Sequence, residues 1–423
     1  MHHGVKGSAL LATIVIAAAA CGHAGTVPAT HATSAPGTRA PAPGASASAA
    51  AGGLTVDSFE AEFTAMVGLK DVTSAGSGLV GVVLPDTTTS ARDASVDLHV
   101  LTRAFQTAGY AATDFRIDNA AGATTTELAI AQADIAAGAT ILIVDPIDEP
   151  TGKAVQAAAA DAGVALISYD HPTYQGTHTY DVSFDGVQVG ERIGRGFMQC
   201  TTDWGVSKAK VFTVDGGQDT DPYAIDVAKG YNDAVWGQKV AQVRAGATNA
   251  AGMTLVGERL APGWSNDQGG TIFQQALTAY PGINATIEAN DALAGAVITK
   301  LKAAGVAARK VPTVGQGATL QGMESVVGGW QCGSAYEPVY LEAQAAVALA
   351  TYLRAGQTPP SGLVNGTTAD PSNASTTEPA VLLSPTWVDA KNAASTVIRD
   401  QVVKASDLCA AVGASVCAAA GIQ

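Results

Sequence analysis

The chain has 423 residues, of which 47% are hydrophobic and 5% aromatic. That length admits two or three domains, and that hydrophobic share excludes global disorder. A net charge of −14, with no run of Lys or Arg, excludes a duplex-binding surface.

Met1–Lys6 places positive charge ahead of a short apolar run, Ala9–Ala20. The run is too short for a stable membrane span and reads as a signal peptide over 1–20. It ends Ala18-Ala19-Ala20-Cys21-Gly22. Small residues before a Cys and a Gly resemble a bacterial lipoprotein box, which implies cleavage before Cys21 and lipid on its thiol. Such an anchor, with several acyl chains, holds far better than one chain would. Residues 21–53 are rich in Ala, Gly, Pro, Ser and Thr and read as a flexible tether. Its r.m.s. reach is on the order of 30 Å. Leu54–Lys70 has apolar residues at helical spacing (Phe59, Phe63, Met66, Val67). It reads as an accessory helix, with 54–77 standing outside the main pattern.

From Gly78 a regular alternation begins. Strands are expected at Leu79–Leu84, Ala111–Ile117, Ala139–Val144 and Val164–Tyr169. Helices are expected between them, at Val96–Ala108, Glu127–Ala137 and Thr151–Ala162. Apolar runs of this kind mark strands covered on both faces, and the alternation means a parallel sheet. Tyr180–Phe184 alternates polar and apolar, then Asp185-Gly186 breaks the pattern. From Val187 the spacing turns helical, and the chain is expected to leave one α/β lobe for a second. Helices follow at Val187–Cys200, Ala224–Trp236, Asn266–Ala279 and Leu293–Ala304. Strands are expected at Ala209–Val214, Thr254–Leu260, Ala285–Ala289, Val311–Val314 and Cys332–Tyr336. Helix Tyr340–Ala355 comes next, then a polar surface loop, Gly356–Pro379. A late strand at Ala380–Leu383 and a helix at Ala390–Val403 close the pattern. Two doubly wound sheets fit better than one very wide sheet. A ligand would then lie at the strands' carboxyl ends, between the lobes.

Four cysteines follow the lipidation site: Cys200, Cys332, Cys409 and Cys417. An even number in an exported chain suggests disulfides, and four cysteines allow three pairings. Cys409 and Cys417 close a short loop and are the favoured pair, which leaves Cys200 with Cys332. No CxxC or His-Cys cluster supports a structural zinc. No G-x-S-x-G elbow and no Walker A sequence is present, so neither that hydrolase chemistry nor ATP hydrolysis is expected. The acidic loops Asp145–Glu149 and Asp219–Asp221 lack the twelve-residue calcium pattern. No cofactor or metal is expected.

Nine segments resemble the periplasmic sugar-binding proteins of ATP-driven (ABC) importers. The likeness is to the ribose/galactose-binding type, nearest its D-xylose-binding branch. The segments are LPDTTTSARD (84–93), LISYDHP (166–172), YDVSFDGVQVGE (180–191), VDGGQDTDPYA (214–224), PGWSNDQ (262–268), EANDALAGAV (288–297), VGQGATLQGM (314–323), SAYEPVYLEAQA (334–345) and VLLSPTWV (381–388). They occur in the family's order across most of the folded part. The resemblance implies a type I periplasmic binding protein fold, α/β, with two lobes joined by three hinge crossings. These would lie near Ser183–Asp185, Ala335–Pro338 and Glu378–Leu383. Lobe 1 would comprise 78–184 and 336–379, lobe 2 185–335 and 380–405, with 406–423 as a disulfide-bearing tail.

The resemblance also implies the ligand contacts. A sugar offers hydroxyls around an apolar ring face, so charged groups, amides and one aromatic plate are needed. Asp86 and Arg92 follow the first strand, and a guanidinium can bridge adjacent hydroxyls. Asp170 matches the ligand aspartate after the fourth strand, with His171 beside it. Asp185 suits either a contact or a helix cap. Asp221 and Tyr223 match positions of the second lobe, Trp264 the stacking plate and Asn290 an amide ligand. Asp291 is expected to cap the helix that follows. Gln316 and Glu337 complete the set.

Four positions depart from the xylose branch. His171 stands for an arginine, Tyr223 for an asparagine, Gly317 for an aspartate and Glu337 for a lysine. These changes make the cleft less basic. The expected ligand is another neutral sugar or polyol, or a solute carrying an amine. The resemblance implies a monomeric, extracytoplasmic binding protein that serves a membrane permease and is not an enzyme. A subunit that senses ligand for a membrane kinase or chemoreceptor would share the same body. A transcription regulator would need an N-terminal DNA-binding helix pair, where this chain has an export signal.

Overall fold

A computed structural model describes residues 53–85, 96–172, 179–217, 222–370 and 373–423. Two short helices come first, α1 (Thr64–Val67) and α2 (Lys70–Ala75). Then follow β1 (Leu79–Leu84), α3 (Leu98–Thr107), β2 (Phe115–Asn119), α4 (Thr124–Ala136) and β3 (Ala139–Val144). Next are α5 (Glu149–Asp161), β4 (Ala165–Tyr169) and β5 (Thr179–Phe184). The second run is α6 (Gly186–Asp203), β6 (Lys210–Asp215), α7 (Pro222–Trp236), β7 (Thr254–Leu260), α8 (Asn266–Ala279) and β8 (Ala285–Glu288). It continues with α9 (Asp291–Ala303), β9 (Gly315–Gln316), α10 (Leu320–Val327) and β10 (Gly333–Tyr336). The chain closes with α11 (Val339–Arg354), β11 (Gly366–Asp370), β12 (Asn373–Leu383), β13 (Thr386–Asp389), α12 (Ala405–Val412) and α13 (Ala414–Ala419).

Lobe 1 is built on a seven-stranded sheet in the order β11-β12-β5-β4-β3-β1-β2. Its ladders are parallel except where β11 returns against β12. Val83, Leu142, Val144 and Leu166 pack with Ala131, Val155 and Ala159 of α4 and α5 on one face. Val80, Val82, Ile141, Ile143 and Ile167 pack with residues of α3 and α11 on the other. Burial on both faces is what an unbroken apolar strand requires.

Helix α11 is buried through its middle, from Ala343 to Thr351. The segment ahead of β1 covers its outer side. Phe59, Phe63, Met66 and Leu69 join the same core, and Gln344 Nε2 donates to the Glu60 carbonyl at 2.9 Å. The single helix expected over Leu54–Lys70 is instead broken into short pieces. Phe63 adopts a left-handed φ of 65°, which no continuous helix tolerates.

Lobe 2 holds two three-stranded groups, β7-β6-β8 and β13-β10-β9. The strand expected at Val311–Val314 is not formed. That stretch links the two groups: Thr286 N–H donates to the Pro312 carbonyl at 2.8 Å, and Cys332 N–H to the Thr313 carbonyl at 2.7 Å. The ladder breaks because the Glu288 side chain, at 3.3 Å, accepts the Val314 N–H. Helices α6 and α7 touch at glycines. A methyl group on Gly190 would lie 1.9 Å from the Val227 carbonyl oxygen, and one on Gly230 2.1 Å from that of Val187.

Three expectations about the last quarter are corrected. The surface loop Gly356–Pro379 contains a hairpin, because β11 and β12 pair antiparallel. Ala380–Leu383 pairs with Asp181–Phe184 of β5, so it belongs to lobe 1. By sheet membership the third crossing falls at Ser384-Pro385 rather than at Glu378–Leu383, and Tyr336 belongs to lobe 2. The helix expected at Ala390–Val403 is a 3-10 turn over Ala393–Ser395 followed by further turns. Asn392 holds that loop, accepting from Asp389 N–H at 2.8 Å and donating to the Trp387 carbonyl at 2.9 Å. Helix α10 was not anticipated. Val397, Val403, Leu408 and Ile422 pack on its Met323 and Val326, so the tail completes lobe 2.

Both favoured cysteine pairs are bonded. Cys200 joins Cys332 with Cα atoms 5.9 Å apart, and Cys409 joins Cys417. Among the described residues no helix is long and apolar enough to cross a membrane. Cys21 lies outside the described residues.

Candidate functional site

The polar residues singled out from the sequence sit at the carboxyl ends of strands in both lobes. Asp145 follows β3, Asp170 and His171 follow β4, and Asp185 follows β5. In lobe 2, Trp264 follows β7, Asn290 follows β8 and Glu337 follows β10. Asp86, Arg92 and Asp221 lie outside the described residues.

Asp170 is held in the left-handed region, with φ 66°. Such strain in a non-glycine residue must be imposed by its surroundings. Here its N–H donates to the Val182 carbonyl at 3.0 Å, and Ser183 Oγ donates to the Asp170 carbonyl at 3.0 Å. The side chain thereby turns toward His171, whose Nδ1 is 3.6 Å from Asp170 Oδ2 and 2.9 Å from Asp145 Oδ1. Asp145, Asp170 and His171 bring possible ligand atoms within 4.8 Å of one another. The hydrogen bond between His171 and Asp145 accounts for that closeness without an ion.

Asp185 is a helix cap. Its carboxylate accepts from Gln188 N–H at 3.1 Å and Gln188 Nε2 at 3.0 Å. Ser384 Oγ lies 3.1 Å from Gln188 Oε1, and Asp185 N–H donates to the Leu383 carbonyl at 3.1 Å. The first and third crossings are thus tied side by side.

On the lobe 2 side three residues meet. Tyr223 Oη donates to Glu337 Oε1 at 2.7 Å, and Gln316 Nε2 donates to Glu337 Oε2. Glu337 sits at the second crossing, so one hinge carboxylate gathers an aromatic hydroxyl and an amide. The Trp264 ring is half-buried and lies flat on Gly216; a methyl group there would come within 1.9 Å of its Cε3. Glycine is needed at 216 for the plate to sit where it does.

The helix cap expected of Asp291 is made by Asn290, and Asp291 is a buried structural carboxylate. Asn290 caps α9, accepting from Leu293 N–H at 2.8 Å. Asp291 is buried and accepts from Thr319 N–H at 2.9 Å, Gln331 Nε2 at 2.7 Å and Ser334 Oγ at 2.8 Å. It fastens β9, α10 and β10 together. Replacing Asn290 with alanine should cost about 1 kcal/mol of stability, while Asn290→Asp, which keeps a capping oxygen, should cost little. Urea midpoints of the two variants check this; equal midpoints would refute the capping role.

A cavity of about 670 Å³ opens between the lobes. Lobe 1 lines it with Pro146–Glu149, Asp170–Pro172, Asp181, Ser183 and Thr367–Ala369, and lobe 2 with Tyr223, Ile225, Asp226 and Lys229. It brings together Asp170, His171 and Tyr223 of the expected set. Trp264, Asn290, Gln316 and Glu337 do not line it. Asp181, Ser183 and Lys229 were not anticipated. Asp181 and Ser183 are the polar positions of an alternating strand, and the alternation does not tell that they border a cavity.

Two α/β lobes, three crossings and a polar cleft fed from both sides define a receptor that encloses a small solute. The chain matches the periplasmic binding protein domain family over residues 80–358 and belongs to it. Its relatives are binding proteins, not enzymes. The D-xylose-binding periplasmic protein of Escherichia coli K12 is 28% identical over 302 residues, covering 69% of this chain and 82% of that one. The protein of the same description from Haemophilus influenzae is 27% identical, covering 62% and 72%. Among solved structures, an ABC transporter solute-binding protein from Clostridium phytofermentans with bound β-D-glucose is similar with TM-score 0.63 and 20% identity, over 78% of this chain and 99% of that one. A Caulobacter myo-inositol-binding protein is similar with TM-score 0.55 and 19% identity, over 75% and 94%. These structures establish the shared fold.

Proposed function

We propose that this protein is a lipid-anchored extracytoplasmic receptor that captures a small sugar or polyol and delivers it to an ABC permease. The observation that carries the reading is the cleft itself. Asp170 and His171 from lobe 1 face Tyr223 from lobe 2 across a hinge of three crossings. Contacts from both lobes are complete only when the lobes close, so a ligand shifts the population toward the closed form. A permease can then distinguish loaded from empty receptor by shape. The relatives named for D-xylose, and the similar structures that hold β-D-glucose or myo-inositol, support a polyhydroxylated ligand. Of the four departures from the D-xylose branch, His171 and Tyr223 line this cleft, and Glu337 acts on it through its bond from Tyr223. Cys21 would supply the anchor, and the segment after it the tether.

The test is mass spectrometry of ligand released from purified protein, followed by thermal melting with a panel of pentoses, hexoses and cyclitols. At least one should raise the melting temperature, and Asp170→Ala should remove that rise. If no polyhydroxylated compound is released and none shifts melting, the reading is wrong. Cys21→Ser should move the protein from the membrane fraction to the soluble fraction; unchanged fractionation would exclude the anchor.

A further inference from the structure

The wall of the cavity holds a carboxyl group with an unsatisfied hydrogen-bonding oxygen. Asp181 sits on β5, opposite Ser168 of β4 and Ala380 of β12. It is 3% exposed, lines the cavity, and its Oδ1 has no hydrogen-bond partner among the described residues. Buried polar atoms are normally satisfied, and one without a partner on a residue that borders a cavity points to a missing partner. The surroundings say what charge that partner carries. Glu378 on β12 and Asp170 after β4 are acidic neighbours, and His171 is the opposing one. Among the described lining residues Lys229 is the sole Lys or Arg, and it is paired with Asp226 at 2.7 Å.

A neutral hydroxyl would satisfy Oδ1 but bring no charge to set against Glu378 and Asp170. A cation would answer both. We propose that this cavity seats the ammonium group of an amine-bearing sugar or polyol, with Asp181 and Asp170 as its anionic partners. This rests on the receptor reading above and narrows its ligand class. Burial, then the Glu378 and Asp170 charges, push the Asp181 carboxyl up to about 8. The empty pocket therefore keeps a proton on Asp181 at neutral pH. An ammonium group beside it favours the carboxylate, and the proton leaves to solvent as the ligand binds.

The experiment is calorimetric titration of the purified full chain with matched pairs: D-glucosamine against D-glucose, and D-galactosamine against D-galactose. Each titration is run near pH 7 in two buffers of different ionisation enthalpy. At least one amine should bind about tenfold tighter than its neutral partner, with release of up to about one proton. Asp181→Asn should abolish both the preference and the release. The wild-type proton count stands alone if that variant fails to fold. Equal or tighter binding of the neutral partner, or a preference surviving in Asp181→Asn, overturns the inference and leaves the receptor reading intact. If no sugar of either kind binds while calcium or zinc alone raises the melting temperature, the cavity is a cation site, and both fail.

Discussion

Replacing Cys200 and Cys332 together with alanine is expected to cost about 3–5 kcal/mol of stability while leaving ligand affinity nearly unchanged. The bond closes a loop of 132 residues. In the chain-entropy model such a loop contributes about 5 kcal/mol, against about 2.5 kcal/mol for the eight-residue loop of Cys409–Cys417. Stability is lost through the unfolded chain, which regains freedom. Affinity is spared because the bond lies wholly inside lobe 2. It pins the end of α6, which begins at the first crossing, to the start of β10, which ends at the second. Trp387 of β13 completes the lock. Its ring fills the notch made by Gly196 of α6 and Gly333 of β10, where an added methyl would lie 2.3 Å and 2.5 Å from it. All three elements that leave the hinge are thus clamped within one rigid lobe. Denaturant midpoints of the two double variants, with and without ligand, check this. A larger loss from removing Cys409–Cys417 would contradict the loop-length argument. A large loss of affinity from the Cys200 and Cys332 variant would contradict the rigid-lobe argument.

In the proposed receptor, closure would be a rotation at Asp185, Glu337-Pro338 and Ser384-Pro385. Two crossings are cross-linked through Gln188, which spans Asp185 and Ser384. The other is watched by Glu337, which holds Tyr223 and Gln316. Groups proposed to meet the ligand are therefore bonded to the element that must turn. A ligand competing for Tyr223 would loosen Glu337 at the point where the chain changes lobe.

Much of this was legible in the sequence where one physical rule acted alone. β1 and β3 have the bounds of their apolar runs, because strands covered on both faces admit few polar residues. Both disulfides followed from cysteine number and loop length. Asp170 was found because a polar residue ending a buried run must lie at a strand's carboxyl edge. The failures arose where long-range contacts overrode local pattern. The Thr- and Ser-rich stretch 366–379 reads as a loop, yet β11 and β12 pair in an edge hairpin whose outer strand needs little apolar character. Asn290 and Asp291 are adjacent and both can cap; Gln331 and Ser334, some forty residues away, decide that the aspartate is buried. Val311–Val314 is apolar enough for a strand, but the Glu288 carboxyl enters its ladder. Asp181 was hidden because alternation shows which face of a strand is polar, not whether that face is buried or borders a cavity.

Those carboxyls give the other large effect. Raising the pH from about 5 to about 8.5 is expected to lower stability by several kcal/mol. Burial pushes Glu288 up to about 8, against hydrogen bonds from Thr286 and Val314 that favour its ionised form. Burial likewise lifts Glu258 to about 7 and Asp181 to about 8. In the unfolded chain a Glu titrates at 4.5. Between that value and about 8 the native state holds protons the unfolded state has lost, so stability falls as pH rises. The contribution is whole below the unfolded value and gone above the folded one. Ionising Glu288 alone costs on the order of 3–5 kcal/mol. Glu288→Gln keeps an oxygen for the Val314 N–H and never ionises. Near pH 8.5 it should melt about 5 °C above the unsubstituted chain, and near pH 5 the two should coincide. A melting temperature that stays level across this range, or a gap between the two proteins that is the same at both ends, would show that the Glu288 carboxyl is not held protonated by its burial.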